Sequence, residues 1–185
     1  ITCYEVDVSL AKRFCIDKAI EIEEDLKIGY FDIETEDVSG RISIGQERIL
    51  SWAIVGNDET SYMSAVKTGK KSIDEKSLLI SLLKEINKYD VIVGWNSSGF
   101  DLPYIEARLD KYGLRNEYLL ALKRTMHIAY MMRLVKLFAP IMSILGLSGF
   151  SLNEVSKVFL KRQKVELDSK IHELFWNNEE KLKEY

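Results

Sequence analysis

Apolar residues recur along this chain with two different periods. Over 27–35 the chain carries Ile28, Tyr30, Phe31 and Ile33, β-prone bulk across a strand length. That pattern predicts a strand there. It predicts two more over 48–55 and 61–66, with a turn at Gly56-Asn57-Asp58 between them. The stretch 36–47 holds Ser39-Gly40 and Gly45 and reads as a turn-rich connection. The period then changes. Leu78, Leu79, Leu82, Leu83 and Ile86 fall at helical spacing and predict a helix over 72–89, opened by a Ser72/Glu75 capping box. A short Val-Ile-Val strand within 90–95 follows, then a helix over 102–112 halted by Gly113. Beyond it the chain reads as mostly helical. A second capping box, Ser151/Glu154, opens a helix to Leu160, and 168–176 and 179–185 are further helical stretches. Three strands, a helix, a strand and then helices are the order of a layered α/β domain with a mixed sheet.

Composition narrows what such a domain does. Hydrophobic residues at 46% and charged residues at 30% belong to a soluble globular chain, not a disordered one. Lys plus Arg number 26 against 29 Asp plus Glu, a net charge of -3. That argues against a protein that coats nucleic acid by bulk positive charge, but not against an enzyme that grips nucleic acid locally through metal ions. The longest apolar stretch, 134–147, is interrupted by Lys136, Pro140 and Ser143, so no membrane span is expected. The opening Ile-Thr-Cys-Tyr-Glu has no signal-peptide character, and its lack of Met is expected of a piece of a longer polypeptide. Cys3 and Cys15 fit no C-x-x-C spacing and read as reduced thiols of a cytosolic protein.

Two places could carry chemistry. In Phe31-Asp32-Ile33-Glu34-Thr35, strand alternation puts Asp32 and Glu34 on one face and Ile33 on the other. Two carboxylates about 6 to 7 Å apart on a strand can flank a divalent ion. The plainer reading is a strand running out into solvent with wet acids. The expected central position of the strand favours chemistry, because a buried acid pair needs compensation. The second place is Asn96-Ser97-Ser98-Gly99-Phe100-Asp101-Leu102-Pro103-Tyr104, a strand-to-helix junction in which Asp101 could simply cap the helix. His127 and His172 match no metal spacing and read as structural or surface residues. Trp52, Trp95 and Trp176 read as core or domain-contact residues.

Taken in order, these segments resemble the 3′→5′ proofreading exonuclease domain of archaeal-type family B DNA polymerases. Phe31-Asp32-Ile33-Glu34-Thr35 is similar to the first exonuclease motif, Asp-x-Glu, and Asn96 to Asp101 to the second, Asn-x-x-x-Phe-Asp. Residues 4–20 resemble the lead-in to that domain, and 151–160 and 164–176 its late helices. The third motif is Tyr-x-x-x-Asp; Tyr185 stands where its Tyr belongs, and the Asp four residues on is not in the sequence. Family members commonly carry an Asp near Ala129, and here there is none. The resemblance implies an RNase H-like fold, with 1–26 as a lead-in from a preceding N-terminal domain and 27–185 as an exonuclease domain truncated at its C-terminal end. It implies two divalent ions, Mg²⁺ or Mn²⁺, in a cytoplasmic, nucleoid-associated DNA polymerase. Asp32 would ligate both ions, Glu34 the ion that activates water, and Asp101 the other, with Tyr185 orienting that water. Thr35, Asn96 and Phe100 would contact the terminal nucleotides of a single-stranded DNA 3′ end. The remaining polymerase domains are expected partners, and a sliding clamp is a further candidate. A non-catalytic module of the same fold and a free-standing DNA or RNA exonuclease are the alternatives. With the last Asp missing, the 185-residue chain is expected to fold but to be nearly inactive as a nuclease.

Overall fold

Burial along the first strand alternates residue by residue, and this alternation organises the molecule. The computed structural model describes residues 14, 17–19, 25–41, 43–58, 61–65, 74–118, 127–130, 139–164 and 169–177. In it, β1 (Ile28–Thr35) buries Gly29, Phe31, Ile33 and Thr35 on one face and turns Tyr30, Asp32 and Glu34 to the other. Two strands lie to one side of it. β2 (Ile49–Gly56) pairs antiparallel with β1, and β3 (Ser61–Ala65) pairs antiparallel with β2. On the other side β4 (Val91–Gly94) runs parallel to β1, and β5 (His127–Tyr130) runs parallel to β4. The order β3-β2-β1-β4-β5 puts β1 at the centre of a mixed five-stranded sheet. Residues paired in register share a face, so Phe31 meets Ile54 and Ile33 meets Trp52 on the core side, while Asp32 faces Ala53 and Glu34 faces Ser51 on the other.

The fifth strand departs from the sequence expectation, which took everything after Gly113 as mostly helical. His127-Ile128-Ala129-Tyr130 is too short to display a period of two, and its strand state comes from the parallel ladder with β4. Ala129 sits opposite Val93 in that ladder.

The helices cover the core face. α1 (Glu75–Ile86) buries Leu78, Leu79, Leu82, Leu83 and Ile86 against β2, β3 and the next helix. Trp52 fixes it to the sheet, its indole N–H donating to the Leu78 carbonyl at 3.2 Å. The expected Ser72/Glu75 capping box is not what opens α1. Asp74 is the cap, accepting the Ser77 N–H at 3.1 Å. Glu75 instead turns inward, where its carboxylate accepts from the Ile49 N–H, from Arg108 Nε and from the Tyr112 hydroxyl, each at 2.8 Å. Arg108 belongs to α2 (Asp101–Lys111), so one buried ion pair joins both helices to the start of β2. Two short elements follow, a 3-10 turn (Ala139–Ile141) and α3 (Met142–Leu145). α4 (Leu152–Leu160) opens as expected at Ser151, whose side chain accepts the Glu154 N–H at 3.2 Å. α5 (Ile171–Asn177) returns to touch β1 and buries Phe175 in the core. No described helix is long and apolar enough to cross a membrane. The cysteines, Tyr185 and most of 1–26 lie outside the described residues.

Candidate active site

The site forms where two parallel strands deliver their ends to one edge of the sheet. β1 carries Asp32 and Glu34 on the face away from Phe31 and Ile33. β4 lies beside it with Tyr30 opposite Val93, so the chain leaving Gly94 emerges next to the acidic end of β1. In open α/β sheets this carboxyl end, beside a reversal of strand order, is where ligands collect.

Two glycines shape the junction. A Cβ on Gly94 would lie 2.5 Å from the Ser97 Cβ and 3.0 Å from the Phe31 ring, so a side chain there would push the loop off the strand. A Cβ on Gly99 would lie 2.7 Å from the Asn96 Oδ1, because the Asn96 side chain folds over it. The Gly99 and Phe100 N–H groups both donate to the Asn96 carbonyl at 2.9 Å, closing a tight turn. This turn sets Asp101 as the first residue of α2, 5% exposed. It does not cap the helix: Phe100 holds the cap position and makes no side-chain cap bond. The Ile33 backbone amide, between the two β1 acids, favours the charged form of Asp101 and of Asp32.

The two β1 acids act on Asp101. Burial above all, and then the Asp32 charge, pushes Asp101 up to about 6, with Glu34 adding to the rise. Burial also leads in raising Asp32 and Glu34, and the Asp32 charge raises Glu34 further. Asp32 has an exposed side chain by accessible area, which bounds its desolvation. Buried Asp101 is therefore the acid held farthest from its ordinary ionisation. Opposing these shifts is Lys164, whose Nζ lies 3.3 Å from the Glu34 Oε1 and whose charge lowers both Asp32 and Glu34. Among the described residues no three His, Cys, Asp or Glu side chains stand together as a ready-made metal cage. The donors are hard carboxylate oxygens whose repulsion a cation relieves, and an ammonium already rests on one of them. This donor chemistry suits Mg²⁺ or Mn²⁺.

The other expected contacts divide. Thr35 is buried on the core face of β1, hydrogen-bonded to the Tyr104 hydroxyl, and is not brought to the carboxylates. Tyr104 in turn donates to the Glu47 carbonyl at 3.1 Å. Phe100 is partly buried against the core, its ring 5.3 Å from that of Tyr104. Asn96 is half-buried beside it. Tyr185 lies outside the described residues. His172 on α5 pairs with Asp37, just past β1, and holds the Asp37 carboxyl below its ordinary range against the opposing effect of burial. Sequence reasoning missed Lys164. The partners are 130 residues apart, and the Lys161-Arg162-Gln163-Lys164 run carries no spacing that points to Glu34.

Comparison with known proteins agrees with the motif resemblance. A DNA polymerase from Thermococcus litoralis is 27% identical over 99% of this chain and 12% of its own length. One from Thermococcus gorgonarius is 32% identical over 62% of this chain and 16% of its own length. The chain thus spans only a small part of these relatives. Among solved structures, the family B DNA polymerase of Pyrobaculum calidifontis aligns with 60% of this chain and 18% of its own, at 21% identity and a TM-score of 0.46. The RNase H superfamily model matches residues 29–178, most of the chain, and the chain belongs to that superfamily.

Proposed function

We propose that this chain is a 3′→5′ exonuclease domain of a DNA polymerase, removing mismatched 3′-terminal nucleotides from single-stranded DNA by metal-assisted hydrolysis. The observation that supports this reading is that the charges of Asp32 and Glu34, both on β1, bear on the buried carboxyl of Asp101 at the start of α2. The naming of the relatives as DNA polymerases supports the substrate class. Asp32, Glu34 and Asp101 would hold two divalent ions. When bound, such ions supply the charge that makes a water nucleophilic and stabilises the leaving oxygen.

The chain's own residues set the terms. β1 holds Asp32 and Glu34 on one rigid face, so their spacing does not depend on a loop. The Gly94–Phe100 turn fixes the approach of Asp101. Asn96 and Phe100 border that turn and would meet the terminal nucleotide, although the packing of Phe100 on Tyr104 gives it a structural role as well. Thr35 would act only through Tyr104. Tyr185 would orient the attacking water. Selectivity for frayed ends follows because an unpaired base costs less to unstack.

The test uses 5′-labelled single-stranded DNA, Mn²⁺, and a polypeptide lengthened to supply an Asp four residues past Tyr185. Stepwise shortening from the 3′ end is expected, and Asp32→Ala should abolish it. Undiminished shortening by the Asp32→Ala protein would sink the reading.

A further inference from the structure

Lys164 reaches Glu34 from the far side of the chain, and its backbone is held there. Its N–H donates to the Asn153 Oδ1 at 2.7 Å, clipping the segment after α4 back onto the first turn of that helix. The reversal begins at Lys161, which ends α4 in the left-handed conformation at φ 55. From this anchored position the Lys164 ammonium lies 3.3 Å from the Glu34 Oε1 and acts on Asp32 as well.

We propose that Lys164 is a built-in counter-cation: it neutralises the Asp32–Glu34 pair in the ion-free protein and must be displaced when a divalent ion binds there. The inference rests on the metal reading of the site. Both carboxylates share one strand face and would otherwise repel across it. An ammonium supplies one positive charge and bonds at hydrogen-bond length, whereas a divalent ion supplies two and coordinates at about 2.1 Å. Exchange therefore favours the divalent ion, but against the energy of the existing pair. The apparent affinity of the site for the ion is reduced by that amount.

The experiment measures Mn²⁺ binding to the 185-residue chain at pH 7.5, following free Mn²⁺ by electron paramagnetic resonance. Lys164→Met keeps the length of the side chain and removes its charge. It should bind Mn²⁺ roughly fivefold more tightly, the fold-change expected for loss of one partly exposed ion pair. Lys164→Gln should behave the same way, and Lys164→Arg should stay near the parent. Without ion, Lys164→Met should melt lower than the parent, and saturating Mn²⁺ should close that gap. A purely structural lysine would lower the melting temperature with and without ion and leave Mn²⁺ affinity unchanged. If Asp32→Ala abolishes Mn²⁺ binding in the parent but Lys164→Met and Lys164→Gln leave it unchanged or weaker, the counter-cation is refuted and the metal reading stands. If no Asp32-dependent Mn²⁺ binding occurs in any of the proteins, both are refuted.

Discussion

Asp101 carries an electrostatic cost that only a proton or a cation relieves. Its folded-state ionisation is pushed up to about 6 from an ordinary 3.8. Between roughly pH 4 and 6 the folded chain therefore keeps a proton that the unfolded chain has released, so stability falls as pH rises through that window and stays lower above it. Asp101→Asn removes the charge while keeping the shape. At pH 7 the variant should be more stable than the parent, by on the order of 2 kcal/mol, and the gain should vanish by pH 4. Urea unfolding at the two pH values reads the difference, and a variant less stable at pH 7 would show that Asp101 is not penalised in the fold. The acids themselves could be picked from sequence because residue type and strand period suffice to place two carboxylates on one face. Which neighbours press on them depends on contacts between distant segments, and Lys164 was invisible for that reason.

At the scale of elements, the site depends on α1 and α2 being locked to the sheet. Arg108 is buried, pairs with Glu75 and donates to the Gly45 and Gln46 carbonyls at 3.2 and 3.3 Å. Arg108→Leu would leave the Glu75 carboxylate buried with only the Ile49 amide and the Tyr112 hydroxyl for partners. A loss of about 3 to 5 kcal/mol is expected, the usual result of removing one member of a buried ion pair. Adding Glu75→Leu should recover a large part of it, because an apolar pair leaves no stranded charge; a double variant as unstable as the sum of the singles would refute this account. The helical period of Leu78 to Ile86 made α1 legible from sequence. The role of Glu75 was not, since Ser72 and Glu75 have capping-box spacing, and only the proximity of Arg108 decides that this carboxylate turns inward.

For the whole molecule, the net charge of -3 leaves little bulk attraction for nucleic acid. Affinity for a single strand should therefore depend on cations held at the acids. Fluorescence anisotropy of a labelled oligo-dT should show weak binding in EDTA, a clear gain with Ca²⁺, and no such gain in Asp32→Ala; tight binding in EDTA would place the affinity on a positive surface instead. The sequence by itself determined the α/β class, strands one to four and the helices α1, α2, α4 and α5, because hydrophobic period and turn residues act locally. It also identified the two acidic motifs, whose spacing along one strand and at one helix start is set by backbone geometry. The tertiary structure alone decided the rest. β5 exists through its ladder with β4. Thr35 faces Tyr104 and not the acids, next to a slip in register between Glu34 and Thr35. Phe100 packs on the core. Lys164 and His172 reach Glu34 and Asp37 across more than a hundred residues. Each of these depends on which surfaces meet once the chain has folded, and local pattern carries no information about partners so far apart.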